Sequence, residues 1–189
     1  SRIVKKIEPF HPLFIEEPLI DSQPEELSKL KSKTDIPIAL GERLYSRLDI
    51  LPYLEERAVD ILQPDLSHAG GITECKKMAA MAEAYDVGIA FHCPLGPIAL
   101  SACLQVDAVT RNAFIQEQSL GIHYNEKIDF SDYIKNPKHV FQEEGYLKLP
   151  EKPGLGVEID EESLLNVDNS CKNWKNPVWR RDDGSLAEW

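Results

Sequence analysis

Short, continuous apolar runs recur along the first part of the chain, separated by segments with a helical pattern. A continuous run, rather than an alternating one, is typical of a strand that is covered on both faces of a parallel sheet. The pattern therefore predicts five strands, which are Pro12–Ile15, Ile36–Leu40, Val59–Gln63, Val87–Phe91 and Ala113–Gln116.

The segments between these strands carry the capping residues and the periodicity of helices. Ser22 and Asp49 are the predicted caps of the first two helices, because their side-chain oxygens can accept the free N–H groups of a first turn. Thr73 is expected to open the third helix, and residues 98–106 are predicted to form the fourth. The apolar face of the third helix consists of Cys75, Met78, Ala79 and Ala82. Regular alternation of strand and helix predicts an α/β fold of parallel β/α units.

One ionisable residue follows each predicted strand. A single Glu after a strand is ordinarily a solvated loop residue, but here the pattern repeats once in every β/α unit. The carboxyl ends of parallel barrel strands converge on one mouth, where active sites are built. We therefore expect a shared site made of Glu16, Glu42, Asp65, His92 and Glu117.

The charge of the chain restricts its partners. The 189 residues carry a formal net charge of −11, which argues against nucleic acid or an anionic membrane as a partner, since both require a basic face. The sequence has no run of 18 apolar residues, and its first residues lack the apolar core of a signal peptide, so we expect neither a membrane span nor a signal peptide. The spacing of the cysteines fits neither a zinc site nor a disulfide framework, so we expect reduced thiols in a cytoplasmic protein. They are Cys75, Cys93, Cys103 and Cys171.

The strand-end residues stand in motifs that resemble the mandelate racemase branch of the enolase superfamily, and within it the galactonate-type sugar-acid dehydratases. The most specific motifs are QPDLSHAGGITE, at residues 63–74, and HCPLGPIAL, at residues 92–100. FIEEP, GER, IQEQSLGIHYN and KPGLGVEID accompany them in the same order along the chain. The resemblance covers essentially the whole sequence.

The resemblance implies a role for each strand-end residue. Glu16 and Glu42 would bind a catalytic Mg²⁺, Asp65 and His92 would form a proton-transfer dyad, and Glu117 would stabilise the enolate. The implied reaction removes water from a 2,3-dihydroxy sugar acid to give a 2-keto-3-deoxy acid. D-Galactonate is the expected substrate, while another aldonate and a non-catalytic fragment are the alternatives.

The chemistry of these residue types agrees with the implied roles. Mg²⁺ prefers carboxylate oxygens, and it would offset the negative charge of the chain at a site that must accept a carboxylate substrate. An imidazole has a near-neutral pKa and can accept a proton, and an adjacent carboxylate can hold it in one tautomer. Glu117 could assist the enolate only through an acid proton, which a desolvated site beside other carboxylates could provide.

The resemblance also implies that the chain is the C-terminal part of a larger enzyme. Residues 1–121 would supply strands four to eight of a TIM-type (β/α) barrel, and residues 122–189 would form a segment that packs on a capping domain. The family's third metal ligand, an Asp, and its general acid, a His, have no counterpart in this sequence. We accordingly expect a homo-oligomer or a complementing N-terminal half as the macromolecular partner.

Four residues next to these motifs leave more than one interpretation open. Glu17 is expected to be a structural partner because it alternates away from Glu16 along the strand. Arg43 is a candidate ion-pair partner for the ligand carboxylates. His68 and His123 lie in loops, where a structural hydrogen bond is the default and contact with substrate is the alternative.

Overall fold

Four parallel strands form the centre of the fold in this computed structural model, which describes residues 2–19, 23–119, 133–135, 145–170 and 180–185. In chain order the strands are β1 (Ile15–Glu16), β2 (Ile38–Leu40), β3 (Ile61–Leu62) and β4 (Gly88–Ile89). They lie side by side in the order β1-β2-β3-β4, so that each strand pairs with the next one along the chain. Sequential parallel pairing of this kind is how a (β/α) barrel is built.

Helices lie between the strands, as the alternating pattern predicts. Helix α1 (Arg2–Ile7) precedes β1, and one helix then follows each strand. These helices are α2 (Pro24–Lys31), α3 (Arg47–Glu55), α4 (Gly71–Ala84) and α5 (Pro97–Asp107). The α/β class and the partial barrel are therefore confirmed for the residues that the structure describes.

The fifth predicted strand, residues 113–116, forms much less ladder than expected. Its pairing consists of one parallel bridge between Ile89 and Ala113, supported by the bond from Phe114 N to Ile89 O at 3.2 Å. Asn112 positions the backbone just before this bridge, because its side-chain amide donates to Val87 O at 2.8 Å and to Ala79 O at 3.2 Å. Among the described residues this segment has a neighbour on one side only, which leaves half of its backbone groups outside the sheet.

The predicted helix starts need correction at three positions. Ser22 lies outside the described residues, and the N-cap of α2 is Gln23. The N-cap of α3 is Ser46 rather than Asp49; the Ser46 hydroxyl donates to Asp49 Oδ2 at 2.9 Å and accepts from Asp49 N at 3.4 Å. These two bonds start the helix earlier and put Pro52 beyond its first turn.

Helix α4 also begins earlier than expected, at Gly71 rather than Thr73. The reason is the turn that follows β3, in which His68 N and Ala69 N both donate to Asp65 O, at 3.1 and 2.8 Å. Gly70 then adopts a left-handed conformation with φ 77°, which glycine tolerates at little steric cost.

The sheet separates two sets of apolar side chains. The larger set packs between the outer face of the strands and the helices, and it includes Leu27, Ile50, Leu62, Met78 and Phe91. The smaller set consists of Ala39, Ile61 and Ala90 with Phe14 packed against them, on the inner face. Side chains alternate between the two faces of a strand, so Glu16 and His92 lie on the inner face with Phe14 and Ala90.

The C-terminal part of the chain packs back onto the larger apolar set. Strand β5 (Ile134–Lys135) pairs antiparallel with β6 (Glu158–Ile159), and helix α6 (Glu161–Ser170) follows. Ile134 is buried in the apolar core. In the described part of the chain, Cys75, Cys93 and Cys103 are free thiols, whereas Cys171 lies outside it. None of the helices described is both long and apolar enough to cross a membrane.

Candidate functional site

Asp65 is the most buried polar group at the carboxyl end of the sheet, with a relative exposure of 2%. It follows β3 through Gln63 and Pro64, which are buried as well. The N–H of Ser67 donates to its Oδ1 at 2.7 Å, and Nδ1 of His92 lies 2.9 Å from its Oδ2. Both carboxylate oxygens therefore have a partner, which fixes the orientation of the carboxylate.

His92 lies between two carboxylates. Its Nδ1 faces Asp65, and its Nε2 lies 3.0 Å from Oε2 of Glu42. Burial lowers the pKa of the imidazole, but the hydrogen bond to Asp65 and the charges of Glu117, Glu42 and Asp65 outweigh that effect, so the pKa is raised. With a carboxylate close to each ring nitrogen, the structure favours the protonated imidazolium of His92.

The ionised state of Asp65 is favoured by the same contacts. Burial raises the pKa of the Asp65 carboxyl, yet the hydrogen bonds from His92 and Ser67 more than compensate, and its pKa is lowered. His68 adds to this effect from a distance of 3.8 Å between its Nδ1 and Asp65 Oδ2, which is too long for a hydrogen bond. The predicted dyad of Asp65 and His92 is thus present in the structure as a hydrogen-bonded pair.

Glu42 is held in a tight turn after β2. The turn is closed by the bond from Leu44 N to Gly41 O at 2.9 Å. Gly41 has φ 155°, and a Cβ atom at this position would lie 2.5 Å from Gln63 N and 2.6 Å from Gln63 C. The turn therefore rests directly on the backbone that leads to Asp65, and only a residue without a side chain fits there.

Glu16 lies at the end of β1 and is within electrostatic range of the other acidic groups. Desolvation of its carboxylate, followed by the charges of Glu117 and Glu42, raises the pKa of Glu16. Glu117 is oriented by a short hydrogen bond, in which Cys93 N donates to its Oε2 at 2.7 Å. All five residues expected from the strand ends are therefore brought to one end of the sheet.

The donor set of this site fits a hard divalent cation in part. Glu16 and Glu42 supply carboxylate oxygens. Their negative charges repel each other, and a bound cation would reduce this repulsion. Across the residues that the structure describes, however, no group of three or more His, Cys, Asp or Glu side chains is arranged to hold a metal ion. Two carboxylates alone form an incomplete coordination sphere, so further oxygen ligands would have to complete it.

An ion pair links the two loops that carry Glu16 and Glu42. Arg43 pairs with Glu17, the residue next to Glu16, through Nη2 and Oε2. One loop further, Arg47 donates through Nε to Glu74 Oε1 at 2.8 Å. The sequence marked Arg43 as an ion-pair candidate and Glu17 as a structural residue, but it did not join them. His123 lies outside the described residues.

The described residues thus form a parallel β/α sheet with a histidine–aspartate pair and several carboxylates gathered at its carboxyl end. The chain belongs to the enolase C-terminal domain-like family, which matches residues 1–163. The expected place in the enolase superfamily is confirmed.

Relatives and solved structures give closer comparisons. The chain is 57% identical over 187 residues to the D-galactonate dehydratase of Cronobacter sakazakii, and 56% identical to that of Ralstonia pickettii. Each alignment covers 99% of this chain and 49% of the relative, so the chain spans about half the length of these proteins.

Among solved structures, a putative galactarate dehydratase from Agrobacterium radiobacter, an enolase bound to Na and L-malate, superimposes with a TM-score of 0.86 at 34% identity. The match covers 98% of this chain and 48% of that one.

Proposed function

We propose that this chain carries the proton-abstracting side of a Mg²⁺-dependent sugar-acid dehydratase that converts D-galactonate to 2-dehydro-3-deoxy-D-galactonate. The observation that carries the proposal is the bond between His92 Nδ1 and the buried Asp65 at 2.9 Å, in a site that also contains Glu16, Glu42 and Glu117. The choice of substrate rests on the D-galactonate dehydratases at 54–57% identity.

In this proposal His92 removes the proton from C2 of the substrate. Its Nδ1 is engaged by Asp65, so Nε2 is the atom that takes the proton. The Asp65 carboxylate keeps the ring in the tautomer with a free Nε2 and stabilises the imidazolium that forms. Asp65 is 2% exposed, which prevents water from competing for this contact.

Glu16 and Glu42 would hold the Mg²⁺ ion, because carboxylate oxygens are its preferred protein ligands. Bound there, the cation would neutralise charge that develops on the substrate carboxylate when C2 is deprotonated. Glu117 is oriented by the Cys93 N–H, which donates to its Oε2 at 2.7 Å, and in this proposal it would help to stabilise the enolate. Departure of the 3-hydroxyl requires a general acid that the described residues do not supply.

A second substrate has support of its own. The putative galactarate dehydratase from Agrobacterium radiobacter shares the fold over 98% of this chain. Galactarate carries a carboxylate at each end, whereas galactonate ends in a hydroxymethyl group, so the two acids differ in charge at the distal end. A competition assay with both acids shows which of them is the preferred substrate. A non-catalytic role predicts no product from either acid.

The test is an enzyme made by joining the chain to the first half of the Cronobacter sakazakii D-galactonate dehydratase. With Mg²⁺ and galactonate, this hybrid should form a 2-keto acid and exchange the C2 proton with solvent deuterium. His92→Asn should abolish the exchange while metal binding stays nearly intact. Exchange at the parental rate in His92→Asn would exclude His92 as the base, and a folded hybrid without any keto acid would reject the proposed reaction.

A further inference from the structure

We infer that Arg43 and Glu17 form a positioning pair that sets the spacing of the two proposed metal ligands, Glu16 and Glu42. This inference rests on the proposed function, since it assigns a purpose to residues next to a proposed cation site. Neither side chain was expected to contact the other, and neither is a catalytic residue.

The first argument is the place of Arg43 in the chain. Glu42 and Arg43 are the two central residues of the turn that Leu44 N closes onto Gly41 O at 2.9 Å. On one side this turn rests on the backbone of Gln63, because Gly41 approaches it too closely for a side chain. On the other side the turn is tied to β1 by the ion pair of Arg43 with Glu17. The turn that carries Glu42 is thus held from both sides.

The second argument is the conformation of Glu17. Its N–H donates to Ala39 O at 3.0 Å, which continues the β1–β2 ladder one residue past Glu16. Its φ is 40°, in the left-handed region that a residue with a side chain seldom adopts. This conformation turns the Glu17 side chain away from the strand and toward the neighbouring loop, where Arg43 meets it. The positive φ of Glu17 costs conformational energy, which the ion pair with Arg43 can help to offset.

The third argument concerns charge. Arg43 places a positive charge one residue from a proposed cation ligand, and by Coulomb's law alone this charge weakens cation binding. The carboxylate of Glu17 offsets much of this charge while the ion pair is formed, so an arginine is tolerated beside the site. The Glu17 side chain is 21% exposed and that of Arg43 is 48% exposed, so the pair is partly shielded from solvent.

The test measures Mn²⁺ binding to the hybrid enzyme described above by the loss of the paramagnetic resonance signal of free Mn²⁺. The variants are Glu16→Gln, Glu42→Gln, Arg43→Gln, Arg43→Lys and Glu17→Gln. Lys29→Gln is the matched control, because Lys29 forms an exposed pair with Glu26 at 2.6 Å in a helix away from the site. Thermal unfolding without metal, recorded for each variant, shows whether the fold is retained.

Positioning and simple charge effects predict opposite results for Arg43→Gln. If the pair sets ligand spacing, Arg43→Gln should weaken Mn²⁺ binding by about 10-fold, the size of effect seen when residues that orient metal ligands are lost. Arg43→Lys, which keeps the charge but replaces the planar guanidinium with an ammonium group, should recover part of the affinity. Lys29→Gln should bind as the parental chain does.

Three outcomes would overturn the inference, and only the first of them leaves the proposed function intact. Unchanged or tighter Mn²⁺ binding by Arg43→Gln, with Glu16→Gln and Glu42→Gln both impaired, rejects the positioning pair and leaves the metal site in place. Parental affinity in Glu16→Gln and Glu42→Gln rejects the metal site itself, and the inference with it. The same follows if the folded parental hybrid binds no Mn²⁺ at millimolar concentration.

Discussion

His92, the proposed base, contacts both its partner Asp65 and the proposed metal ligand Glu42. Its Nε2 lies 3.0 Å from Oε2 of Glu42, and its Nδ1 lies 2.9 Å from Oδ2 of Asp65. Without a cation, Glu42 and His92 satisfy each other. A cation on Glu42 would draw that carboxylate away and leave Nε2 free to face the substrate. The state of the base and the state of the metal ligand are therefore linked through one hydrogen bond.

The first prediction concerns pH and the stability of the metal-free chain. The pKa of His92 is raised above its ordinary value of 6.5 in the folded state. A histidine with a raised pKa stabilises the fold fully below the unfolded-state pKa, and this contribution is lost as pH rises through the folded-state pKa. The loss of unfolding free energy in His92→Asn should therefore be larger near about pH 6 than near about pH 9.

Urea denaturation of both chains across this range, without metal, measures the difference. Asp65 is the hydrogen-bond partner that raises the histidine pKa, so Asp65→Asn should reduce the pH dependence. A constant difference between parental and His92→Asn chains at all pH values would contradict the raised pKa.

The second prediction separates stability from metal binding at Glu16. Desolvation and the charges of Glu117 and Glu42 raise its pKa, so stability is lost as pH rises from 4.5 through the folded-state pKa. Glu16→Gln removes this loss, and the metal-free variant should unfold at a higher temperature than the parental chain at neutral pH. Added Mg²⁺ should then raise the melting temperature of the parental chain but not that of the variant.

Differential scanning fluorimetry with and without Mg²⁺ tests both halves of this expectation. Lys29→Gln serves again as a substitution remote from the site. A Glu16→Gln chain that is less stable without metal, or that still responds to Mg²⁺, would argue against the assignment.

The third prediction concerns the glycine before Glu42. Gly41→Ala combines a disfavoured φ of 155° with a Cβ atom 2.5 Å from Gln63 N. We expect a loss of about 1–3 kcal/mol in unfolding free energy, typical of a strained backbone position. Gly154→Ala is the matched control, since Gly154 also has a positive φ, 71°, but nothing within 4 Å of the added Cβ.

Chemical denaturation of the two variants separates backbone strain from steric contact. Gly154→Ala should show the cost of a left-handed φ alone, and the excess loss in Gly41→Ala reports the contact with Gln63 together with the less accessible φ of 155°. Equal losses in the two variants would mean that the close approach is accommodated by a small movement of the loop.

The fourth prediction is that the chain on its own associates and shows no dehydration of galactonate. The segment after β4 is open on one side in the described structure, and it leaves Phe114 51% exposed and Ile115 46% exposed. Open strand edges and contiguous apolar surface favour association. Light scattering with a galactonate assay tests this, and a complementary first-half polypeptide should restore both a defined mass and turnover. A stable monomer with turnover would contradict the prediction.

The sequence predicted which residues lie at the site because a parallel β/α fold converts chain order into spatial order. Each of the four strands that form ends at the residue expected at the mouth, or no more than three residues before it. The pairing of Asp65 with His92 follows from the pairing of β3 with β4 in register. The order of the strands along the chain was therefore enough to predict that these side chains lie together.

Details that depend on loop conformation could not be predicted in the same way. Ser46 and Asp49 are both good cap residues, and only the reciprocal bonds between them decide where α3 begins. The pairing of Glu17 with Arg43 depends on a left-handed φ at Glu17, which its residue type does not suggest. The fifth segment is paired with β4 through the single bridge of Ile89 with Ala113 in the described residues, a length of ladder that its apolar run does not reveal.

The bond from Cys93 N to Glu117 Oε2 joins the loop after β4 to the segment that follows it. The bond between Asp65 and His92 crosses in the same way one unit earlier. In both cases a side chain or backbone group of one loop is hydrogen-bonded to a residue of the next loop. Transplanting a single loop from a relative with a different substrate would cut one such contact at each border. A change of specificity in this fold should consequently proceed through adjacent loops exchanged as a set, with isolated loop grafts failing even when the donor protein is closely similar.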